Sequence, residues 1–340
     1  MLFEQIRSGG CLSYLVGDDE TCAAMVVDPH LEQLDRYVAL TAERGMRVHY
    51  VVETHTHADH FSSARELAKQ LGARVVMHRL ASAPFVDVRV DDGETLVLGK
   101  LRVRVLHTPG HTNDSTCLVL EDRVLTGDTL LIGGTGRTDL PTGDPDALYD
   151  SLFGKLLQLG DTLRVYPSHD YKDRASSTIG AEKASNARLQ KSLRADFVAL
   201  MRGLDLKMPQ HLSEALRTNR TGGKTVAQLL AEASREIAFV GMAEVAARLG
   251  KDDFVLLDVR EKEAFEAGHL PGARHLPRGQ LELRVDRELP DPGIRILTYC
   301  QLGRISTLAA ATLRTMGYTR AVALDGGYDA WVAAGYPTAR

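Results

Sequence analysis

Thr54-His55-Thr56-His57-Ala58-Asp59-His60 follows directly on Arg47-Val48-His49-Tyr50-Val51-Val52-Glu53. The earlier segment is β-branched and aromatic and reads as a buried strand. The later one places four side chains able to ligate a metal, His55, His57, Asp59 and His60, within six residues. The same arrangement recurs downstream. A strand over Leu101–Leu106 leads to Thr108-Pro109-Gly110-His111, one over Arg123–Thr126 to Gly127-Asp128, and one over Leu163–Tyr166 to Pro167-Ser168-His169. Every candidate ligand therefore falls in a loop just after a strand, where sheets covered by helices place their sites. These seven nitrogen and oxygen donors suit a divalent metal of borderline softness. A lone histidine is usually a hydrogen-bonded structural residue, and His30, His49, His78, His107 and His211, which lack this context, are read that way.

Working outward, Phe61–Leu71 reads as a helix stopped by Gly72. Arg74–Met77 reads as a short strand, Thr95–Leu98 and Leu101–Leu106 as a hairpin about Gly99-Lys100, and Thr116–Leu120 as a strand turning at Glu121-Asp122. From Ser185 to Leu249 the pattern is mainly helical, broken at Asn219-Arg220-Thr221-Gly222-Gly223, the candidate boundary. Beyond it, strands over Phe254–Asp258, Ile294–Tyr299 and Ala321–Leu324 and a helix over Ser306–Thr315 predict a small α/β domain with a parallel sheet. The reading is a domain over 1–220, a linker over 221–235 and a second domain over 236–340.

The 340 residues exceed one usual compact core. At 44% apolar and 25% charged, the chain has an ordinary globular composition. Its net charge of −4 speaks against a nucleic-acid binder. No apolar run approaches the ~20 residues of a membrane helix, and the N-terminus lacks a secretion signal. The four cysteines, Cys11, Cys22, Cys117 and Cys300, form no close C-x-x-C pair, so reduced thiols and a cytoplasmic setting are expected.

The spaced donor set, covering about residues 1–220, resembles the metallo-β-lactamase superfamily, which implies an αββα sandwich with one or two metals between its sheets. A dinuclear zinc thioester hydrolase of glyoxalase II type is one reading. His55, His57 and His111 would hold one zinc and Asp59, His60 and His169 the other, with Asp128 bridging, so that the pair activates a hydroxide. Gly134-Thr135-Gly136-Arg137-Thr138-Asp139-Leu140, Tyr166-Pro167-Ser168-His169-Asp170-Tyr171, Ser177-Thr178 and Asn186-Ala187-Arg188-Leu189 are instead similar to the persulfide dioxygenases. That resemblance implies one Fe(II) per chain on His55, His111 and Asp128, three facial ligands that leave positions for substrate and O2. His57, Asp59, His60 and His169 then become supporting residues, and Arg137, Tyr171 and Arg188 bind the thiol, glutathione foremost. Several family members carry a cysteine near the end of this domain, where this chain has Thr221.

Cys300 opens Cys300-Gln301-Leu302-Gly303-Arg304 between a predicted strand and helix, where backbone N–H groups and the helix N-terminus favour a thiolate and an anion. Leu257-Asp258-Val259-Arg260-Glu261, Gly268-His269-Leu270-Pro271-Gly272-Ala273 and Leu324-Asp325-Gly326-Gly327-Tyr328-Asp329-Ala330-Trp331 resemble a rhodanese domain over about 236–340. The resemblance implies that Cys300 carries sulfane sulfur, with Asp258 and Arg260 supporting the fold. Many such loops read C-x-x-G-x-R; here Arg304 stands one place early and Ile305 fills the sixth position. The two resemblances imply oxidation of a thiol persulfide with O2 to sulfite, joined to exchange of sulfane sulfur among thiosulfate, sulfite and thiols, with homo-oligomerisation left open. The third reading is a non-catalytic sulfur carrier or persulfide sensor.

Overall fold

Alternation of side chains decides the first sheet. Along a strand successive residues face opposite sides. In β2 (Cys11–Asp18), Leu12, Tyr14 and Val16 enter one core while Leu15 enters another; in β3 (Ala23–Val27), Ala23, Met25 and Val27 separate in the same way from Ala24 and Val26. With β1 (Leu2–Ser8), α1 (Leu34–Glu43), β4 (Arg47–Val52), α2 (Ala64–Leu71), β5 (Arg74–His78) and β6 (Val88–Val90), the sheet runs β1-β2-β3-β4-β5-β6. It is antiparallel up to β3 and parallel beyond. The computed structural model describes residues 1–209, 211–251 and 254–340, in two compact units, Met1–Gly223 and Lys224–Arg340. Gln210, inside the helical stretch expected from Ser185 to Leu249, lies outside the described residues.

The second sheet uses β7 (Thr95–Leu98), β8 (Leu101–His107), β9 (Thr116–Val119), β10 (Arg123–Gly127), β13 (Arg164–Pro167) and β14 (Ser177–Thr178), in the order β14-β13-β10-β9-β8-β7. β11 (Leu130–Leu131) and β12 (Gly134–Thr135) make a small ribbon beside it. Leu96, Val103, Val105, Leu118 and Leu125 meet Leu12, Tyr14 and Val16 between the sheets. Outside the first sheet, Leu67 and Ala68 of α2 pack on Val51 and Val75. Outside the second lie α3 (Pro145–Tyr149), α4 (Ile179–Ser185) and α5 (Arg194–Arg202), whose Leu148, Ile179 and Phe197 pack on Val124 and Val165. This is the expected αββα sandwich. α6 (Leu212–Thr221) closes the unit. Residues 61–63 are not helical as expected: Phe61 carbonyl accepts from Leu31 N–H at 2.8 Å and Ser62 bridges His30, which holds the chain extended until the Ser62 hydroxyl accepts from Ala64 N–H at 2.9 Å.

The second unit begins earlier than the sequence implies. The stretch expected as a linker folds into α7 (Val226–Glu236), started by a Thr225/Gln228 capping box. Then come β15 (Phe239–Val240), α8 (Met242–Arg248), β16 (Val255–Asp258), α9 (Lys262–Ala267), β17 (Arg274–His275), α10 (Leu281–Glu288), β18 (Ile296–Tyr299), α11 (Arg304–Thr315), β19 (Val322–Leu324) and α12 (Gly327–Ala333). α7 packs against α11. The sheet order is β15-β19-β18-β16-β17 with every pair parallel, so the strand order reverses between β16 and β18. Parallel α/β sheets open a crevice at the carboxyl ends of the strands flanking such a reversal, and Cys300 is the first residue after β18.

Candidate metal centre and thiol site

The Glu53–His60 loop leaves β4 and is fixed by residues distant in sequence. Thr54 N–H and Oγ1–H donate to the Asp28 carboxylate at 2.7 and 2.8 Å. Thr56 N–H donates to Asp114 Oδ2 at 3.1 Å. Asn219 Nδ2 donates to the His57 and His60 carbonyls at 2.9 and 2.8 Å, and its Oδ1 accepts from Ser62 N–H at 3.1 Å.

These bonds decide which ring nitrogens face the centre. The Thr54 hydroxyl gives its proton to Asp28, so it accepts from His55 Nδ1–H at 3.0 Å and leaves His55 Nε2 with a lone pair. That Nε2 is buried and unpartnered among the described residues. His111 Nδ1–H donates to the Arg137 carbonyl at 2.8 Å, so its Nε2 is the atom turned to the centre, 3.6 Å from Asp128 Oδ2. Donor atoms of His55, His111 and Asp128 lie within 4.8 Å of one another. Burial, then the neighbouring His57 charge, keeps His55 well below the ordinary histidine range and hence neutral. Burial pushes the Asp128 carboxyl up, but the His169 charge and its hydrogen bond outweigh burial and lower the pKa. Two imidazoles and a carboxylate, one bare nitrogen among them, fit a divalent transition metal.

The other histidines of the motif are engaged differently. His57 Nε2 lies 2.8 Å from Glu53 Oε2 and 3.2 Å from Asp28 Oδ1; burial opposes its charge, but the two carboxylates raise its pKa well above the usual value. His169 spans Asp128 Oδ1 at 2.7 Å and Asp59 Oδ2 at 2.6 Å, so both its nitrogens donate. A ring protonated on both nitrogens has no lone pair to ligate with. Cys11, Asp59, His60 and His169 form a second cluster with metal-like spacing. Cys11 has no part in the sequence reading. It joins the centre because β2 starts beside His169: Leu12 N–H donates to Ser168 O at 2.7 Å. Burial pushes its thiol up, and hydrogen bonds with His169, His30 and His60 bring it down to about 5. His30, read as structural, stacks on His60 at 4.9 Å.

A cavity of about 450 Å³ opens above the centre, with His111, Asp128 and His169 in its floor and Arg137, Tyr171 and Arg188 in its wall. Arg137 grips Asp139 with two 2.6 Å bonds and donates to Lys207 O at 2.8 Å. Arg188 donates to Thr135 O at 2.6 Å. Tyr171 is 78% exposed and lies over His169, ring centres 6.0 Å apart. Gly136 lets this wall approach the centre: a Cβ there would overlap the Asp128 carbonyl oxygen and sit 3.0 Å from the His111 ring.

In the second unit Cys300 is 2% exposed and its Sγ accepts from Ser306 N–H at 3.3 Å. α12 clasps the loop: Tyr328 and Asp329 N–H donate to the Cys300 and Gln301 carbonyls at 2.8 and 3.1 Å. A Cβ on Gly327 would lie 2.6 Å from Gly303 N, so glycine is required for that approach. Arg260, held by Asp258 at 2.6 Å and stacked 3.9 Å from the Tyr328 ring centre, donates to Gln301 Oε1 at 3.2 Å. Gln301 in turn donates to Asp329. Leu302, Arg304 and Ile305 are exposed at the loop's outer face.

Residues 6–169 match the metallo-beta-lactamase superfamily and residues 242–334 the rhodanese-like domain. Within that class, the mitochondrial persulfide dioxygenase ETHE1 of Bos taurus is 37% identical over 214 residues, covering 62% of this chain and 84% of its own; the Homo sapiens protein matches equally. The crystal structure of ETHE1 from Myxococcus xanthus is 40% identical with a TM-score of 0.64, over 66% of this chain and all of that one. A metallo-beta-lactamase from Staphylococcus aureus subsp. aureus COL, 23% identical, shares the fold over 96% of this chain and 98% of its own, with a TM-score of 0.61. The chain belongs to the persulfide dioxygenase family of the metallo-beta-lactamase superfamily, with a rhodanese-like domain appended. No described helix is long and apolar enough to cross a membrane.

Proposed function

We propose that the first unit oxidises a low-molecular-weight thiol persulfide, glutathione persulfide foremost, at one Fe(II) held by His55, His111 and Asp128. The reaction is RSSH + O2 + H2O → RSH + sulfite + 2 H⁺. The observation that carries this reading is the division among the ligand-type side chains: donor atoms of His55, His111 and Asp128 converge on a common point, while His57 Nε2 and both His169 nitrogens lie against carboxylates. When bound, iron supplies the redox exchange with O2 that zinc cannot. The chain's own residues do the rest. Thr54 and the Arg137 carbonyl fix the tautomers of His55 and His111. His169 restrains Asp128 through Oδ1, leaving Oδ2 toward the ligand point. Arg137, Arg188 and Tyr171 line the cavity where an anionic peptide thiol would lie.

The second unit, in this reading, moves sulfane sulfur among thiosulfate, sulfite and thiols through Cys300, so that sulfite made at one centre is an acceptor at the other. A cytoplasmic location suits the reduced thiols this chemistry needs. The test is metal analysis of the purified protein with O2 uptake on glutathione persulfide. One iron per chain and O2-dependent sulfite release are expected. Two zinc ions with thioester hydrolysis and no O2 uptake would establish the glyoxalase II type instead, and no turnover by either unit the carrier or sensor. Cys300→Ser should abolish sulfur transfer while O2 uptake on preformed persulfide persists.

A further inference from the structure

Beside Cys300 lies a cavity of about 330 Å³ whose wall is mostly hydrocarbon. Val226 and Leu230 come from α7, Leu302 and Ile305 from the thiol loop and its helix, and Leu308 from the next turn of α11. Val226, Leu302 and Ile305 are 63%, 64% and 51% exposed, so apolar surface is presented at the entrance of a nucleophilic site. The polar side chain that follows the thiol in the loop, Gln301, is tied between Arg260 and Asp329. Arg304 is the cation in the cavity lining, and Arg260 and Asp329 both hold the loop through Gln301.

This lining is ill suited to a small dianion. A doubly charged group seated along these hydrocarbon walls, away from the backbone N–H groups of the loop, loses hydration that they do not replace. An apolar body gains from the same walls, and the volume lies at the lower end of small-ligand cavities. We propose that the substrate of the Cys300 site is a low-molecular-weight persulfide with an uncharged alkyl or aryl body, and that α7 and Ile305 select it over thiosulfate. The inference rests on the reading of Cys300 as a sulfur carrier. The Cys300 thiolate attacks the outer sulfur of R–S–SH. The S–S bond of the substrate breaks, R–S⁻ leaves and takes a proton from water, and Cys300–S–SH forms with no net oxidation. A second thiolate or cyanide then removes the sulfur.

The experiment measures transfer to cyanide by the full-length protein from benzyl persulfide, glutathione persulfide and thiosulfate, with Cys300→Ser as the uncatalysed background. The expected kcat/KM for benzyl persulfide exceeds that for thiosulfate at least tenfold. Val226→Asp, at the exposed rim, should raise the KM for benzyl persulfide at least fivefold. Ile305→Arg, which adds a cation at the mouth, should shift the preference toward thiosulfate at least tenfold. Cys300-dependent transfer that favours thiosulfate in the wild type, with benzyl persulfide indifferent to Val226→Asp, overturns the inference and leaves the transferase standing. Transfer from no donor by folded protein, or equal transfer by Cys300→Ser, overturns the transferase and the inference with it.

Discussion

Replacing Asn219 tests whether the metal loop is held from outside. Its side chain makes three hydrogen bonds, two buried ones given to the His57 and His60 carbonyls and a half-buried one accepted from Ser62 N–H. Asn219→Ala strands all three backbone groups, each worth about 1–3 kcal/mol when left buried without a partner. Water entering the vacated space satisfies part of this, so the lower end applies, about 3 kcal/mol. For a unit of this size each kcal/mol moves the midpoint by about 2–4 °C, giving a fall of about 6–12 °C. The assay is calorimetry of the full chain, following the transition that shifts when Fe(II) is added, with Fe(II) affinity measured in parallel. Affinity should fall about 10- to 100-fold, as for other groups that orient ligands. Asn219→Asp sharpens the test: it keeps the acceptor for Ser62 but turns lone pairs toward two carbonyls, so it should be no better than alanine. A shift under about 2 °C with unchanged iron affinity would refute the reasoning and show that Asp28 and Asp114 suffice to hold the loop.

Three further outcomes are expected. Asp128→Asn should abolish O2 uptake and cut iron content at least tenfold by order of magnitude, while sulfur transfer at Cys300 continues; metal analysis and an oxygen electrode check this. Arg137→Ala should raise the KM for glutathione persulfide about tenfold with kcat little changed, the loss of one charged hydrogen bond, measured by steady-state kinetics; a collapsed kcat at constant KM would move Arg137 into the chemistry. In the iron-free protein, Cys11 alkylation by iodoacetamide, followed by peptide mass, should hold steady at neutral pH and fall as pH drops through about 5, because its thiol is depressed from 9.0 and the thiolate persists above the lowered value; a midpoint near 9 would contradict the hydrogen bonds drawn to it.

The sequence shows what is local. Strand-then-ligand loops are visible because alternation and the loop chemistry sit side by side, as in Arg47–Val52 followed by His55. The strand–loop–helix around Cys300 is legible for the same reason. What the sequence hides is pairing across distance. Asn219 reaches His57 from 162 positions away and Cys11 meets Asp59 across 48. No periodicity encodes either, since both depend on how α6 and β2 dock. No chemical motif marks β1–β3, although β2 carries a ligand-like thiol. Helical pattern over Val226–Glu236 is legible, but the Gly222-Gly223 break beside it hides that the helix belongs to the second unit. The second cation-like cluster was legible as a ligand set but not as a hydrogen-bonded one, because spacing fixes which residues converge and not which hold protons.

Arg137 meets the centre twice, by its side chain in the cavity wall and by its carbonyl on His111 Nδ1. The two contacts are chemically independent, since any amino acid at this position brings the same carbonyl. On the proposed function, thiol preference can therefore drift by substitution at 137 while the orientation of the His111 ring is inherited unchanged. A protein retooled for coenzyme A or a smaller thiol could keep its oxygen chemistry, whereas a one-residue deletion at 136–138 would disturb both together.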